Sequence, residues 1–437
     1  MTNINHIYNC AANTLCQLHN AAKDNCQLIG AGYTSNLDKI TNNSLHTINE
    51  LLKKYTCTQN RKPGSALSGP VDFLEAVLYY ASRGLGAEFS ITSELSHFLA
   101  TNFVCHDGIG GTAAQSAMAI GTLGYPVILH QTDSSVELVR QLQQANLYLV
   151  DNGEIIHCTK HSGTTSPMPH YIIQLQKGSH LYANGRDILI PESNRLIFNF
   201  DSINPVLKLN SDYLNFIEHN AHRFCSHIIS GFNVISDDSV LEQRIGMIID
   251  HLKKTRLANP EIIFYFEDAF YYSMQKKVEL YHKLIPYVDI LSLNEEELVQ
   301  LAELSSFSIE ADSPLNIVRA VEHLVSCFGP RMGIVLHTKN YSMYLGRKTK
   351  ADMQKGLAAG NLVAAAKALT GQYGTVQTIM ECLNMPLSQY GMLFCKELQN
   401  IPLNYQINIV PTKYIEAPQF TIGLGDSFIG GIQTCFL

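Results

Sequence analysis

The sequence lacks the patterns that would place it among nucleic-acid-binding, membrane or disulfide-rich proteins. Its 437 residues carry 31 basic and 38 acidic side chains, a net charge of −7, so no positive surplus is available to neutralise phosphate backbones. No apolar run is long enough to span a bilayer, and the N-terminal residues lack a charged-then-apolar export signal. The eleven cysteines are scattered without a C-x-x-C pair. We therefore expect a cytoplasmic protein with reduced thiols and no nucleic-acid or membrane partner.

Common catalytic motifs are also missing. The sequence has no G-x-x-x-x-G-K-[ST] phosphate loop, no H-E-x-x-H zinc motif and no G-x-S-x-G nucleophile turn. The 17 histidines do not cluster at metal-ligand spacing. A P-loop ATPase, a zinc hydrolase and a serine hydrolase are therefore unsupported.

Short apolar runs rich in β-branched residues alternate with segments of helical period. The runs predicted as strands are 26–30, 126–130, 227–230, 262–266, 289–293 and 334–337. Residues 356–369 (GLAAGNLVAAAKAL) are small and apolar enough to form a buried helix. This alternation predicts an α/β fold with a mostly parallel sheet covered by helices on both faces.

Two stretches interrupt that rhythm, being more polar and less regular. We predict that segments 38–105 and 141–205 contain a smaller, inserted α+β domain that acts as a lid. Segments 1–37, 106–140 and 206–437 would then form the larger α/β domain, with hinges near 30–38 and 195–205.

Polar residues cluster directly after several predicted strands. These clusters are Asn36 with Asp38, Glu267, Asn294 with Glu297, His337 with Thr338, and Gly423 to Asp426. Open α/β sheets bind ligands beyond the carboxyl ends of their strands. The clusters therefore predict one binding site at this edge.

The sharpest of these signals is Gly423-Leu424-Gly425-Asp426. Two glycines before an acid indicate a tight turn into a helix, whose free backbone N–H groups attract an anion. Asp426 could there accept a proton from a hydroxyl while the amides stabilise a transferred phosphoryl group. The alternative is an ordinary helix cap.

The other clusters also carry two interpretations. Asn294 followed by Glu297 fits a capping box as well as a magnesium site. Glu267 ends an apolar strand, where a carboxylate must be paired, bound to metal or solvated in a cleft. Gly111 and Thr112 lie in a glycine-rich turn that admits either a ligand or a close helix–sheet contact.

Several longer segments together resemble one known family. They include GAGYTSNLDKI (30–40), DGIGGTAAQSAMA (107–119), NRLIFNFD (194–201), YVDILSLNEEEL (287–298) and IVPTKYIEAPQFTIGLGD (409–426). With them the chain resembles the ADP-dependent sugar kinases, the glucokinase/phosphofructokinase family of the ribokinase-like superfamily. The resemblance implies a ribokinase-like three-layer core with a mostly parallel sheet and a smaller inserted α+β lid domain.

The resemblance also implies roles for particular residues, with ADP as phosphoryl donor and Mg²⁺ as cofactor. Asp426 would be the catalytic base, and the backbone amides of Gly423 and Gly425 would form the anion hole. Arg195 would reach the nucleotide phosphates. Magnesium would be organised by Glu267 and Glu297. The nucleotide would be bordered by Asn294, His337, Thr338, Val410, Pro411 and Thr412. The sugar would be lined by Asn36, Asp38, Glu88, Gly111, Thr112 and His170.

Glu88 favours glucose or a similar neutral hexose as acceptor, because a carboxylate repels the charge of fructose 6-phosphate. Thr112, Tyr265 and Ser427 differ from the pattern typical of the family. An ATP-dependent ribokinase-like sugar or nucleoside kinase, fructose 6-phosphate as acceptor, and a non-catalytic ligand-binding relative therefore remain alternatives. We expect a monomer or small homo-oligomer.

Overall fold

Two large β-sheets organise the computed structural model, which describes residues 4–21, 27–57, 62–143, 146–163, 165–271, 273–310, 313–398, 405–416, 418–420 and 422–437. The strands in chain order are β1 (Leu28–Gly32), β2 (Asn36–Thr41), β3 (Ala66–Leu67), β4 (Ala87–Ile91), β5 (Cys105–Gly110), β6 (Val127–Leu129), β7 (Leu147–Asp151), β8 (Glu154–His157), β9 (Pro169–Leu175), β10 (His180–Ala183), β11 (Arg186–Leu189), β12 (Asn194–Asn199), β13 (Phe224–Ile229), β14 (Ile263–Glu267), β15 (Ile290–Asn294), β16 (Gly333–His337), β17 (Tyr341–Gly346) and β18 (Gln406–Pro411).

The α-helices in chain order are α1 (Ile4–Ala21), α2 (Ser44–Lys54), α3 (Pro70–Ala81), α4 (Ser93–Asn102), α5 (Thr112–Thr122), α6 (Val136–Leu142), α7 (Ser211–His219), α8 (Asp238–Ala258), α9 (Met274–Leu284), α10 (Glu295–Leu304), α11 (Pro314–Phe328), α12 (Met353–Thr370), α13 (Val376–Leu383), α14 (Gln389–Leu398) and α15 (Leu424–Ile432). Short 3₁₀ turns lie at Cys158–Lys160, Asn204–Val206, Ala221–Arg223, Phe232–Val234, Ile285–Tyr287 and Gln433–Phe436. No helix in these described ranges is long and apolar enough to cross a membrane.

The ten-stranded sheet has the order β18-β17-β16-β15-β14-β13-β1-β6-β7-β8. Its centre, from β16 to β7, is parallel, and antiparallel strands close both edges. Successive side chains of each strand enter different apolar clusters, as Leu28 and Ile29 do. Helices α1, α5, α6, α12, α13 and α15 cover one face, and α7 to α11 with α14 cover the other. The predicted α/β fold with both faces covered is confirmed.

Close packing of three helices places the start of α15 at the end of this sheet. A Cβ added to Gly360 of α12 would lie 2.5 Å from a ring carbon of Phe428, and one added to Gly430 of α15 would lie 2.6 Å from the Ser116 carbonyl oxygen of α5. The small residues of segment 356–369 therefore let α12 and α15 approach as larger residues would not. The predicted buried helix corresponds to α12.

The six-stranded sheet has the order β3-β4-β12-β9-β2-β5 and is mixed. Helices α2, α3 and α4 cover one of its faces through a cluster that includes Phe73, Phe89 and Phe198. Because side chains alternate along a strand, Asp38, Glu88 and His170 belong to the opposite face. That face meets Ile422, which precedes α15, through Ile40 and Ile172.

Sheet membership differs from the predicted segments at their ends. Strands β7 and β8, within predicted segment 141–205, pair in the ten-stranded sheet, because β7 extends its parallel array beside β6. Most of β5, within predicted segment 106–140, pairs with β2 in the six-stranded sheet. Residue 26, the first of predicted strand 26–30, lies outside the described residues. The assignment of a lid domain stays a prediction.

Candidate active site

The start of α15 forms the floor of a cleft between the two sheets. Gly423 caps the helix with φ 67°, a left-handed conformation that glycine adopts without the strain of a side chain. Gly425 packs on His337, since an added Cβ would lie 3.1 Å from the Cε1 atom of that ring. Asp426 lies in the first helical turn. The predicted turn into a helix N-terminus is therefore present, and its acid lies in the first turn, where backbone N–H groups have no partner within the helix.

Asp426 is surrounded by charges from several elements. Burial raises the pKa of its carboxyl group, and the positive charge of Lys367 on α12 offsets part of that rise. The nearby Thr112 side chain also lowers the pKa of Asp426, whereas Glu267 raises it. Thr112, predicted to line the sugar, thus acts on the predicted base.

Asn36 and Asp38 are held together at the end of β2. The Asn36 amide Nδ2 donates to Asp38 Oδ1 at 2.7 Å. A Cβ at Gly110 of neighbouring β5 would lie 2.0 Å from Asn36 Nδ2 and 2.3 Å from Asp38 Oδ1, so only glycine leaves room for this pair. Burial raises the pKa of Asp38 to about 6, although His170 and Arg195 lower it in part. At Gly111, a φ of 88° lets the chain pass close to the Thr34 carbonyl oxygen on its way into α5.

His170 and Glu88 lie on the same face as Asp38. His170 Nε2 is 2.9 Å from Asp201 Oδ2. Burial acts to lower the pKa of His170, but the Asp201 carboxylate outweighs it, and the net pKa is raised. Glu88 accepts a hydrogen bond from the Asn199 amide. These residues and Asn36 form the polar surface that the sequence predicts for a sugar.

The carboxylates at the strand ends of the ten-stranded sheet are buried and close together. Glu267 Oε1 lies 2.9 Å from His337 Nε2, and the pKa of His337 is raised because Glu267 outweighs the effect of burial. The pKa of Glu297 is raised well above its usual value by burial and by the charges of Asp268 and Glu267. The ammonium of Lys277, ion-paired with Asp268, offsets part of this negative charge.

Asn294 and Glu297 also form the capping box that the sequence allowed. Asn294 Oδ1 accepts from the backbone N–H groups of Glu296 and Glu297 at 2.9 Å, and Glu297 Oε2 accepts from Asn294 N at 2.8 Å. One Glu297 oxygen is thus occupied by the helix start. The capping interpretation holds, and a metal role for Glu297 stays a prediction.

The segments predicted to border adenosine lie side by side. Thr338 closes the β16–β17 turn by donating to the Tyr341 carbonyl oxygen at 2.8 Å, and Thr412 N donates to the Asn340 carbonyl oxygen at 2.9 Å. Val410 and Pro411 are buried on β18, opposite Ser342 and Tyr341. The ring of His337, predicted at the nucleotide, is turned toward Glu267.

Arg195 lies on an exposed part of β12, on the uncovered face of the six-stranded sheet. It borders a polar cavity of about 770 Å³ between that sheet and the segment before α15. The cavity is also lined by Thr41, Gln174, Asn194, Phe420 and Ile422. The positive charge of Arg195 lowers the pKa of both Asp38 and Asp426.

Two residues at this floor, Lys367 and Gln115, were not predicted from the sequence. Lys367 Nζ donates to Gln115 Oε1 at 2.7 Å, and both side chains are buried. The available signal was a lone cation inside the apolar helical segment 356–369, since a buried ammonium needs polar partners.

Comparison with known proteins identifies the family. The chain matches the model of the ADP-specific Phosphofructokinase/Glucokinase conserved region over residues 27–431, most of its length. It belongs to this family. The predicted family, and with it the predicted class of ADP-dependent sugar kinases, is confirmed.

Several family members are similar along most of their length. The ADP-dependent glucose/glucosamine kinase of Pyrococcus furiosus is 25% identical over 434 residues, covering 91% of each chain. The ADP-specific phosphofructokinase of Pyrococcus horikoshii is 20% identical, covering 94% of this chain and 97% of that protein. A solved ADP-dependent kinase in complex with fructose 6-phosphate and ADPβS has a TM-score of 0.79 and 19% identity, covering 100% of this chain and 98% of that one. The structural similarity supports the shared fold.

Proposed function

We propose that this chain transfers the terminal phosphoryl group of ADP to a hydroxyl group of a neutral hexose, with glucose favoured, giving AMP and a sugar phosphate. The observation that carries the proposal is that two carboxylates from different parts of the fold act on the same two cations. Asp38, on the six-stranded sheet, and Asp426, at the start of α15, share the influence of Arg195 and Lys367. A hexose held by one would present a hydroxyl to the other.

The sugar is bound by the uncovered face of the six-stranded sheet. Asp38 and Glu88 accept hydrogen bonds from hydroxyl groups, and Asn36 and His170 fix the geometry of that surface. The side chains are already oriented by hydrogen bonds to each other, which reduces the entropy lost on binding.

Transfer then proceeds at the start of α15. Asp426 accepts the proton of the attacking hydroxyl as its oxygen forms a bond to the terminal phosphorus of ADP. The bond from that phosphorus to the bridging oxygen breaks, and AMP leaves with the electron pair. The backbone N–H groups of the Gly423–Gly425 turn stabilise the negative charge of the transferred group. Arg195 approaches the phosphates from the other sheet.

The carboxylates at the strand ends fit Mg²⁺. Glu267 Oε2 is buried without a hydrogen-bond partner among the described residues, an arrangement that a cation would satisfy. In the same described ranges no three His, Cys, Asp or Glu side chains converge on one metal position, which suits an ion that takes one or two carboxylates plus phosphate oxygens and water. Glu267 and Glu297 would hold it, and it would neutralise charge on the phosphates when bound.

The neutral acceptor is favoured by the charge of the sugar surface. Asp38 and Glu88 both act on His170, so the acceptor would lie beside two carboxylates, which repel a sugar phosphate. The glucose/glucosamine kinases of two Pyrococcus species are each 25% identical to this chain, and the phosphofructokinase of Pyrococcus horikoshii is 20% identical. The higher identity supports the glucose reading.

The test is an assay of purified protein with magnesium, comparing ADP with ATP and glucose with fructose 6-phosphate. We expect AMP release that depends on both ADP and glucose. AMP release only with fructose 6-phosphate would overturn the neutral acceptor, and turnover only with ATP would overturn the donor. No turnover with any sugar or nucleoside would favour a non-catalytic relative.

A further inference from the structure

Among the residues that the structure describes, three lysines are buried, and their ammonium groups are bonded in different ways. Lys277 lies 2.5 Å from Asp268 in an ion pair with both side chains fully buried. Lys413 donates to two backbone carbonyl oxygens, at 2.8 and 3.1 Å. Lys367 donates to the neutral side chain of Gln115 at 2.7 Å. An ion pair cancels a charge locally, whereas an amide partner leaves the charge of Lys367 to act on its surroundings.

Lys367 lies directly against the turn that begins α15. A Cβ added to Gly423 would lie 2.8 Å from Lys367 Nζ and 1.9 Å from Gln115 Oε1, so both side chains pack directly against the turn that begins α15. The ring of Tyr373 covers the ammonium from another side, with its centroid 4.3 Å from Nζ. Lys367 is therefore fixed beneath the proposed anion hole.

Two acidic groups keep Lys367 charged in spite of its burial. Burial lowers its pKa to about 8, and the charges of Asp426 and Asp38 oppose that effect. The reciprocal influence is seen at Asp426, where Lys367 is the largest opposing effect to burial. Glu267 and Arg195 also act on Asp426. Lys367 is thus mostly protonated at neutral pH.

We infer that Lys367, held by Gln115 against the Gly423 turn, is a positioning residue for phosphoryl transfer: its buried positive charge adds to the field of that turn and acts on the nearby Asp426 carboxylate. This inference rests on the proposed function and deepens it. Lys367 acts through Asp426 and the turn, so its loss should slow the chemical step more than it weakens substrate binding.

The first test is Lys367→Ala in the full chain, with kcat and KM measured for ADP and glucose. We expect kcat to fall on the order of 10- to 100-fold, the effect of one charge acting through a partly polar interior, with both KM values within about threefold of wild type. Methylammonium added to Lys367→Ala should restore part of kcat, and methanol should not, because only the former returns a positive charge to the cavity.

A second test uses a pair of variants at Gln115, which measures the role of the Lys367 charge even if Lys367→Ala does not fold. Gln115→Glu places a carboxylate beside the ammonium and cancels its charge, whereas Gln115→Met removes the hydrogen bond and leaves the charge. We expect kcat of Gln115→Glu to be at least about tenfold below that of Gln115→Met. Equal values for this pair, or a folded Lys367→Ala with unchanged kcat, would overturn the inference. Failure of the proposed function would appear differently, as an inactive wild-type protein.

Discussion

The two carboxylates of the proposed site belong to different elements, a strand of the six-stranded sheet and the helix α15, and they are held in different ways. Asp38 is almost fully buried on β2 and fixed by the side-chain amide of Asn36. Asp426 is half-buried in the first turn of α15, beside the side chain of Thr112 and near Lys367. A carboxylate fixed by side chains is suited to binding the sugar. A carboxylate at a helix N-terminus, where the phosphoryl group would lie, is suited to accepting a proton during transfer. Changes at the two sites should therefore affect different kinetic constants.

Replacing Asp426 tests this division most severely. Asp426→Asn keeps the shape of the side chain but cannot accept a proton, so kcat should fall by about 10² to 10⁴-fold, the usual contribution of a general base. The Kd of ADP, measured by calorimetry, should stay close to the wild-type value. The control is Asp212→Asn, the same change in the first turn of α7, at an exposed position. Wild-type turnover of Asp426→Asn would remove Asp426 from the chemistry.

Replacing Asp38 should show the opposite pattern. Asp38→Asn removes a charged hydrogen-bond acceptor from the sugar surface, so KM for glucose should rise about 10- to 100-fold while kcat changes less. Steady-state kinetics at saturating ADP measure both. Asp151→Asn, at an exposed end of β7, serves as the control for a change of the same charge. An Asp38 variant with normal KM and low kcat would contradict the division of roles.

The same two carboxylates mark how far the sequence could be used to predict the site. The Gly-x-Gly-Asp turn could be read because its glycines and its acid are adjacent in sequence and the local backbone creates the site. The position of Lys367 could not, because it depends on how α12 packs against α5 and α15. The ring of His337 likewise meets Glu267 across the intervening strand β15, which depends on sheet order.

The fold, like the site, could be predicted where the signal lies in adjacent residues, and could not where it depends on pairing between distant segments. Continuous apolar runs predicted the parallel centre of the ten-stranded sheet, since strands buried on both faces need them. Strands β7 and β8 lie in the more polar segment predicted as lid, yet pair in the ten-stranded sheet. Strand β8 forms the edge of that sheet and is at most partly buried, so its sequence carries less of that signal, whereas β7 lies inside the sheet and is mostly buried.

A smaller change at Gly110 tests whether the Asn36–Asp38 pair itself prepares the sugar surface. Gly110→Ala would bring a methyl group to 2.0 Å from Asn36 Nδ2 and so displace the pair. We expect KM for glucose to rise about 5- to 10-fold, the cost of weakening one or two hydrogen bonds, with little change in the Kd of ADP. Gly246→Ala, where an added Cβ meets nothing within 4 Å, is the matched control. Unchanged KM in Gly110→Ala would show that the pair is not needed for binding.

The smallest expected effect is a pH dependence of sugar binding that belongs to Asp38. Its pKa is raised to about 6 by burial, so the ionised fraction falls about fourfold between pH 7 and 5.5, and the affinity for glucose should fall with it. The pKa of His170 is raised as well, since the Asp201 carboxylate outweighs the effect of burial, and the Asp38→Asn variant is therefore needed to separate the two groups.

Loss of glucose binding at low pH can be distinguished from acid unfolding, because protonation of Asp38 has opposite effects on sugar affinity and on the stability of the fold. A carboxyl group whose folded pKa is raised above its unfolded value favours the folded state as the pH falls through that range, so Asp38 protonation adds no acid instability. Calorimetry with glucose alone, without nucleotide, measures binding without turnover, and thermal melts at each pH check the fold. In Asp38→Asn the weakened affinity should no longer change between pH 7 and 5.5. If Asp38→Asn kept the wild-type pH dependence, the titrating group would be another residue. Asp38 would then not be the acceptor for the sugar hydroxyl.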